Sequence, residues 1–253
     1  MDLGLQRANG WKRISAFLLD AMLLVMLAVG VGSLISALIG YDGLSSQLTD
    51  IYARYEKEYD TSFNYSEEDY GNLSEEARAR YDAAYQALIQ DTEAITLYRK
   101  VVAMSFLLVC LSLLAAFLVL EFAVPLLLKQ GRTLGKRVFG LAVMREDMVA
   151  VSGPVLFIRT VLGKYSLETM IPVAVFLMLY FNMIGLLGGV LLLSLLVMQI
   201  VVFATSHTGA LLHDKLAGTV VVDMATQRIF DTKEEMLDAK KEAAAEQAKR
   251  AEW

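Results

Sequence analysis

Three long apolar runs limit what this chain can fold into. They cover residues 14–40, 101–128 and 166–206. A helix needs about 20 apolar residues to cross a bilayer, so the first two runs are each long enough for one membrane span. The third run would form a helix about twice as long as the hydrocarbon core is thick, at ~1.5 Å per residue.

Three glycines divide the third run. Gly185, Gly188 and Gly189 lie near its middle, and glycine readily adopts the backbone conformations that tight turns require. We therefore predict two spans there, over residues 168–184 and 188–206, and four spans in all. A cleaved signal peptide is the alternative for the first run, but that run exceeds the apolar core of about 7–15 residues that such peptides carry.

The composition agrees with a protein that faces lipid. Hydrophobic residues make up 56% of the chain and charged residues 20%, whereas soluble domains average about 45–50% and 25%. The net charge of −5 argues against a nucleic-acid-binding protein. The single cysteine, Cys110, cannot form an internal disulfide. We expect a lipid bilayer as the main partner and no nucleic acid.

Basic residues concentrate in two of the polar segments. Residues 1–13 carry Arg7, Lys12 and Arg13, and residues 129–165 carry seven basic and two acidic residues. Residues 41–100 carry thirteen acidic and six basic residues instead. Because cytoplasmic loops of membrane proteins are enriched in Lys and Arg, we predict a cytoplasmic-membrane protein with both termini in the cytoplasm. Three spans instead of four would place the C-terminal segment outside.

The segment 41–100 is predicted to form an antiparallel helical hairpin outside the membrane. Apolar residues recur at spacings of three and four in two stretches, as on one face of a helix. Ser74, followed by two glutamates, is typical of a helix N-cap, and we expect the second helix to continue into the second span. A self-packed insertion is the favoured interpretation, and a surface for a protein partner is the alternative. The stretches contain Leu44, Leu48, Ile51, Tyr55 and Tyr59, then Ala77, Tyr81, Ala84, Leu88, Asp91 and Ile95.

Three smaller elements are predicted on the cytoplasmic side. Leu141–Arg145 and Thr219–Asp223 are short apolar runs bounded by glycine, which could pair as a two-stranded β-ribbon. Residues 155–164 alternate apolar and basic side chains, as does a helix that lies in the membrane interface. Residues 232–253 are rich in Ala, Glu and Lys, which indicates a charged, solvent-exposed helix.

Two carboxylates inside predicted spans are the strongest functional signal. Asp20 lies in the first span and Glu121 in the second, each about 10 Å from the nearer end at ~1.5 Å per residue. A charged Asp near the centre of a span costs about 2.5–3.5 kcal/mol on insertion scales. Such residues could carry a proton or bind a cation. The alternative is a structural clamp, in which each acid pairs with a buried Arg or a free backbone group.

A buried polar network is predicted at the cytoplasmic ends of the spans. Arg13 opens the first span and Asp214 follows the last one, so a guanidinium and a carboxylate could pair there. We expect Lys136 or Arg159 to join this pair, with His213 in a capping or network role. His207, His213 and Asp214 also suggest a metal, but no other strong ligand lies near them in sequence.

The segment Gly131-Arg-Thr-Leu-Gly-Lys-Arg137 does not fit a phosphate-binding loop. That motif needs one more spacer residue and a hydroxyl residue after the lysine. The two histidines also do not allow a Ser-His-Asp catalytic triad to be assigned. We therefore expect neither a cofactor, nor a metal, nor enzyme activity.

Three segments together resemble the RDD family of bacterial integral membrane proteins. They are Trp11-Lys-Arg13-Ile-Ser-Ala-Phe-Leu-Leu-Asp20, the segment 131–143 that begins Gly-Arg-Thr-Leu-Gly-Lys, and Leu212-His-Asp214-Lys-Leu-Ala-Gly-Thr-Val-Val-Val222. The residues that name the family would be Arg13, Asp20 and Asp214. The resemblance implies a small multi-pass protein of the bacterial inner membrane. Transport of unidentified ligands is proposed for the family, and sodium/proton antiport is attributed to some members.

Two functions are compatible with these features. The first is a transporter of a small ion or solute, with Asp20 and Glu121 on its ion or proton pathway and a homo-oligomer as one form of assembly. The second is a non-catalytic scaffold or partner subunit that acts through residues 41–100 and the tail. The predicted fold is an all-α integral membrane four-helix bundle with an extracytoplasmic helical hairpin and a small cytoplasmic β-ribbon. Its segments are 1–13, 14–40, 41–100, 101–128, 129–165, 166–206, 207–231 and 232–253.

Overall fold

The computed structural model describes residue 6, residues 8–206 and residues 209–251. Ten helices and two strands follow one another in this part of the chain. Helices α5 and α7 each contain a π-helical stretch, Leu118–Ala123 and Ile158–Met170. The helices are α1 Gly10–Ile39, α2 Tyr41–Glu58, α3 Glu67–Asn72, α4 Glu75–Gln90, α5 Thr92–Leu128, α6 Leu134–Val138, α7 Gly153–Tyr180, α8 Gly185–Thr205, α9 Leu212–Ala217 and α10 Lys233–Ala251; the strands are β1 Leu141–Arg145 and β2 Thr219–Asp223.

Four helices are long and apolar enough to cross a membrane, as predicted. They are α1, α5, α7 and α8. Large apolar side chains on these helices point outward, for example Leu38 at 84% exposure, Leu127 at 82% and Leu186 at 88%. Exposed apolar surface of this extent is rare on soluble monomers, whereas in a bilayer it contacts lipid tails.

The third of these helices begins earlier than the sequence indicated. Residues 155–164, predicted as a separate interfacial helix, form the first part of α7, which continues without a break to Tyr180. Pro154 occupies the first turn of α7, where its missing N–H costs nothing. The turn to α8 also falls slightly before the glycines, over residues 181–184. Gly188 then allows close packing, since a Cβ there would lie 2.8 Å from both Leu179 and Ile184.

The chain divides into two compact units. One comprises Gly32–Val109, and the other comprises the described residues up to Val31 and from Cys110 onward. In the first unit, the pairs Tyr41–Ser105, Tyr55–Asp91 and Asp60–Arg80 show that α2 runs antiparallel to α4 and the start of α5.

The predicted apolar stretches form the core of the Gly32–Val109 unit. Leu48 and Ile51 of α2 pack with Leu88 of α4 and with three residues of α5. Ser74 caps α4, as predicted, by accepting a hydrogen bond from the Ala77 amide. The expected continuation of α4 into the second span is wrong. Its helix ends at Asp91, whose side chain accepts hydrogen bonds from the Glu93 and Ala94 amides and so starts a new helix, α5.

In the other unit, β1 and β2 form the predicted two-stranded antiparallel ribbon. The register pairs Leu141 with Asp223 and Arg145 with Thr219. Side chains alternate between the two faces, as in any strand. Ala142 and Met144 lie in one apolar cluster, and Leu141 and Val143 lie in another with Ala16 of α1. The ribbon therefore carries an apolar cluster on each face.

The tail helix α10 is less solvated than its composition indicated. Met236 is buried in the cluster with Ala142 and Met144, and Ala239 packs against that cluster. Its remaining charged side chains with described surroundings are largely exposed. One side of a helix that the sequence indicated to be solvent-exposed therefore covers one face of the β-ribbon.

Candidate functional site

The spanning helices enclose a cavity of about 550 Å³ with an unusually charged lining. The cavity lies in the unit that holds the β-ribbon, and α1, α5, α6, α7, α8 and α9 contribute to its wall. Four acidic and four basic side chains line it, together with His213. The acidic residues are Asp20, Glu121, Glu168 and Asp214, and the basic ones are Arg13, Lys136, Arg159 and Lys164.

Asp214 and Arg159 form the most deeply buried ion pair of the site. Both the Nε and the Nη2 of Arg159 donate to the same carboxylate oxygen of Asp214, at 3.0 Å and 2.7 Å. Arg13 approaches the other oxygen at 3.8 Å. Burial alone would raise the pKa of Asp214, but the charge of Arg159 outweighs it and holds this pKa well below its ordinary value.

The contacts of His213 define its protonation state. An arginine can only donate hydrogen bonds, so the Nε2 of His213 accepts from Arg159 Nη2 at 3.1 Å. The Nδ1–H then donates to Glu168 at 2.7 Å, and the His213 amide donates to the other Glu168 oxygen at 2.9 Å. Burial lowers the pKa of His213 despite the attraction of Asp214. The imidazole is therefore neutral and bridges Arg159 to Glu168.

Asp20 holds the start of α6 against α1. One carboxylate oxygen accepts the Gly135 amide at 2.7 Å, and the other accepts the Thr133 hydroxyl at 2.5 Å. Thr133 is also the N-cap of α6 and accepts the Lys136 amide. Asp20 thus joins two segments that are more than a hundred residues apart in the chain.

Lys136 lies beside Asp20 and is almost fully buried. Its Nζ donates to Thr133 at 3.1 Å and lies 3.7 Å from the Asp20 carboxylate. Burial lowers the pKa of Lys136 to about 8, and the neighbouring charge of Lys164 contributes in the same direction. The amine is therefore protonated at neutral pH and close to its titration range.

Glu121 pairs with a different lysine. Lys164 Nζ donates to one Glu121 oxygen at 2.6 Å, and the Thr160 hydroxyl donates to the Glu121 backbone carbonyl at 2.9 Å. The two intramembrane acids predicted from the sequence, Asp20 and Glu121, therefore line the same cavity, each with its own lysine. Asp20 keeps both of its oxygens occupied, whereas only one Glu121 oxygen has a partner among the described residues.

The π-helical stretches set the direction of several of these side chains. Glu121 lies in the first stretch, and Arg159, Lys164 and Glu168 lie in the second. In an ordinary α-helix, residues five apart point about 140° away from each other. Hydrogen bonds between residues five apart widen the turn, so Arg159, Lys164 and Glu168, spaced by five and four, all reach the cavity.

Several residues that line or support the cavity were not predicted from the sequence. Glu168 begins the predicted third span, and its charge at that depth was the signal that could have identified it. Gln199 also lines the cavity, and its Oε1 is buried without a hydrogen-bond partner among the described residues. Lys164 had been counted only as a basic loop residue. Thr133 and Gly135 carried no chemical signal in the sequence.

A metal site is not formed by the part of the chain that the structure describes. No group of three or more His, Cys, Asp or Glu side chains converges there. His207, which the sequence analysis considered beside His213, lies outside the described residues. The charged side chains that line the cavity can form hydrogen bonds and ion pairs with one another.

Gly135→Ala should damage the contact between α1 and α6. A Cβ at this position would overlap the Ala16 carbonyl oxygen and lie 2.9 Å from the Asp20 carboxylate, and such overpacking typically costs about 1–3 kcal/mol. We expect a lower melting temperature in detergent. Gly43→Ala is the matched control, because a Cβ there would meet nothing within 4 Å. Equal melting temperatures for the two variants would contradict this packing.

Asp214→Asn should lower the free energy of unfolding by about 3–5 kcal/mol, since it leaves the buried Arg159 charge without its partner. A double-mutant cycle with Arg159→Gln should show a larger coupling energy than a cycle with Arg13→Gln, because Arg159 is closer. Chemical unfolding in detergent measures both cycles. Asp147→Asn, in a surface pair with Arg145, is the control and should cost less than about 1 kcal/mol. Additive losses for Asp214 and Arg159 would show that they do not interact.

Comparison with known proteins gives one match. A model of the RDD family matches residues 7–218, which are most of the chain and include every charged residue of the cavity. A search among curated proteins found no match, and a search among solved structures found none either.

Proposed function

Since the chain belongs to the RDD family, as its three motifs predicted, we propose that it is a membrane carrier that moves a small charged or polar solute through the cavity. The observation that carries this proposal is the charged lining. Eight ionisable side chains besides His213 border about 550 Å³ of space that the spanning helices help to form. The proposal involves no catalysed reaction and no cofactor.

The cavity supports transport better than packing alone. A structural ion pair in a membrane protein gains most when the two groups contact each other and no space surrounds them. Here the pairs Glu121–Lys164 and Asp20–Lys136 border a cavity of the size that small-molecule sites commonly have. Four acidic and four basic groups around such a space have a clear use if a solute makes temporary contacts with them.

Among the two carboxylates, the contacts favour Glu121 as the group that meets the solute. Asp20 has both oxygens occupied by Thr133 and Gly135, which suits the structural clamp that the sequence analysis held as an alternative. Glu121 has an oxygen without a partner among the described residues and a single lysine on the other. We therefore place Glu121 ahead of Asp20 as the carboxylate that contacts the solute.

The orientation is part of this proposal. The basic residues of 1–13 and 129–165 favour termini in the cytoplasm, and the acidic segment 41–100 would then lie outside the cytoplasmic membrane. The β-ribbon and α10 would then lie in the cytoplasm, at the end of the bundle where Arg13 opens α1.

Cysteine labelling tests the orientation. In a Cys110→Ala background, Asn64→Cys should react with an impermeant thiol reagent on intact cells, and Ala248→Cys should react only after the membrane is permeabilised. Both positions are exposed, so accessibility within the protein does not limit labelling. Equal labelling of the two cysteines on intact cells would overturn the topology.

Transport itself is tested in proteoliposomes with a panel of alkali cations, carboxylates and zwitterions. We expect uptake of at least one class, and a decrease of about tenfold or more with Glu121→Gln, which keeps the shape but removes the charge that the solute contacts. Asp50→Asn is the control, since this exposed acid lies outside the cavity. Uptake of no class by the folded parent, or equal uptake by Glu121→Gln, would contradict the proposal.

A scaffold role is the second candidate, and one observation favours it. The Gly32–Val109 unit has its own apolar core and presents partly exposed tyrosines, Tyr85 at 46% and Tyr98 at 36%. Aromatic residues are enriched at protein interfaces. A folded parent protein that transports no solute class would favour this role over the carrier.

A further inference from the structure

The structure assigns the cavity a substrate class: we propose that it takes a small zwitterion with an apolar body, holding the oxyanion between Lys136 and Lys164 and the cationic nitrogen at Glu121. This inference rests on the proposed function, because it concerns the same cavity. The required chemistry is present both in amino acids with apolar side chains and in the headgroup of zwitterionic phospholipids.

The charge balance of the lining favours a solute without net charge. Four acidic and four basic side chains face the cavity, and His213 is held neutral by its contacts with Arg159 and Glu168. A lone cation or a lone anion would leave one buried charge uncompensated, which is strongly unfavourable in a low-dielectric interior. A zwitterion adds one charge of each sign and keeps the balance without a proton entering or leaving.

The two lysines have hydrogen-bond donors to spare. An ammonium group carries three donors. Within the described part of the chain, the Lys136 ammonium donates only to Thr133, and the Lys164 ammonium donates only to Glu121. Both lysines line the cavity and both are largely buried. An oxyanion with several lone pairs, such as a carboxylate, would use the remaining donors.

Acceptors are available beside these donors. The second oxygen of Glu121 has no partner among the described residues, although the side chain is only 6% exposed. Because its other oxygen lies 2.6 Å from Lys164 Nζ, spare donors and a spare acceptor are adjacent. An α-amino acid likewise presents its carboxylate and ammonium groups side by side. The unpartnered Oε1 of Gln199 gives a further acceptor in the cavity lining.

Apolar side chains form much of the remaining wall. Leu24, Val25, Phe117 and Phe203 border the cavity along with the charged groups. These side chains cannot form hydrogen bonds or ion pairs with a further charged group of the ligand. They can bury an aliphatic or aromatic portion of the ligand favourably. A zwitterion with an apolar portion therefore matches both parts of the lining.

Three matched probes test the charge requirement. Leucine carries both charges, 3-methylbutylamine only the ammonium, and 4-methylpentanoate only the carboxylate, on similar apolar bodies. Binding is measured by calorimetry on the full chain in nanodiscs of phosphatidylglycerol, so that no zwitterionic lipid competes. We expect leucine to bind at least tenfold more tightly than either single-charge probe. Equal or tighter binding of the amine or the carboxylate would overturn the zwitterion assignment, as would binding of none of the three.

Variants assign the two ends of the zwitterion. Glu121→Gln should weaken the binding of leucine and of the amine but leave binding of the carboxylate probe unchanged. Lys136→Gln should weaken the binding of leucine and of the carboxylate probe but leave binding of the amine unchanged. Gln199→Leu should also weaken leucine binding, because it removes the spare acceptor. Its melting temperature is measured alongside, since the Gln199 side chain also hydrogen-bonds the Glu168 carboxylate. Asp50→Asn should bind like the parent. Leucine binding as tight as that of the parent in either Glu121→Gln or Gln199→Leu would contradict the assigned site.

A competition experiment with phosphatidylethanolamine distinguishes the two sources of the zwitterion. If leucine binds and phosphatidylethanolamine in the nanodisc does not compete, the ligand is a free solute. If phosphatidylethanolamine displaces leucine, a lipid headgroup shares the site, and the zwitterion chemistry still holds. Uptake of an alkali cation in proteoliposomes, together with tighter binding of the amine probe than of leucine, would overturn this inference and leave the carrier function in place.

Discussion

Each buried charge in this protein needs an opposite charge nearby, and this requirement organises the bundle. Lipid tails are as apolar as leucine, so helices inside a bilayer gain little from burying apolar faces against one another. Buried ion pairs hold helices together more strongly, because breaking one leaves a buried charge without a partner. Asp20–Lys136 joins α1 to α6, Glu121–Lys164 joins α5 to α7, and Arg159–Asp214 joins α7 to α9. These links connect segments that are far apart in the chain.

Close contacts at glycine make these charge pairs possible. A side chain at Gly135 would overlap α1 at Asp20, one at Gly163 would lie 2.5 Å from the Cβ of His213, and one at Gly209 would lie 2.8 Å from Arg13. Each of these glycines therefore faces a charged or polar residue of the cavity wall. Glycine at these positions lets the backbone come close to the buried charged residues. This explains why a Gly-Lys sequence that resembles part of a phosphate-binding loop has a structural use here.

The sequence predicted those parts of the fold that depend on local patterns. The four spans follow from apolar length, the pairing of two strands in a β-ribbon from two glycine-bounded runs, and the core of the Gly32–Val109 unit from residues spaced by three and four. It also identified most charged residues of the cavity, because a charge at span depth is conspicuous. It also predicted that Asp214 would pair with arginine, but it could not give the partners of the other buried charges. Asp20 meets Thr133 and Gly135 through tertiary packing, and an α-helical period assigns Arg159 and Lys164 to different faces, whereas π-helical turns bring them to one cavity.

The Glu121–Lys164 pair connects occupancy of the cavity to the packing of the helices. It is a contact between α5 and α7, and each partner has few other hydrogen bonds. A solute bound by Glu121 and Lys164 would replace this ion pair with contacts through the solute, while the hydrogen bonds from Thr160 to the Glu121 carbonyl and from Tyr165 to the Cys110 carbonyl stay in place. Arg159 and Asp214, by contrast, satisfy each other with two hydrogen bonds and with His213 and Arg13 close by, so they hold α7 to α9 in either state. If the protein is the carrier that we propose, the Glu121–Lys164 ion pair is thus the link that solute binding would exchange, while Arg159 and Asp214 keep their own contacts.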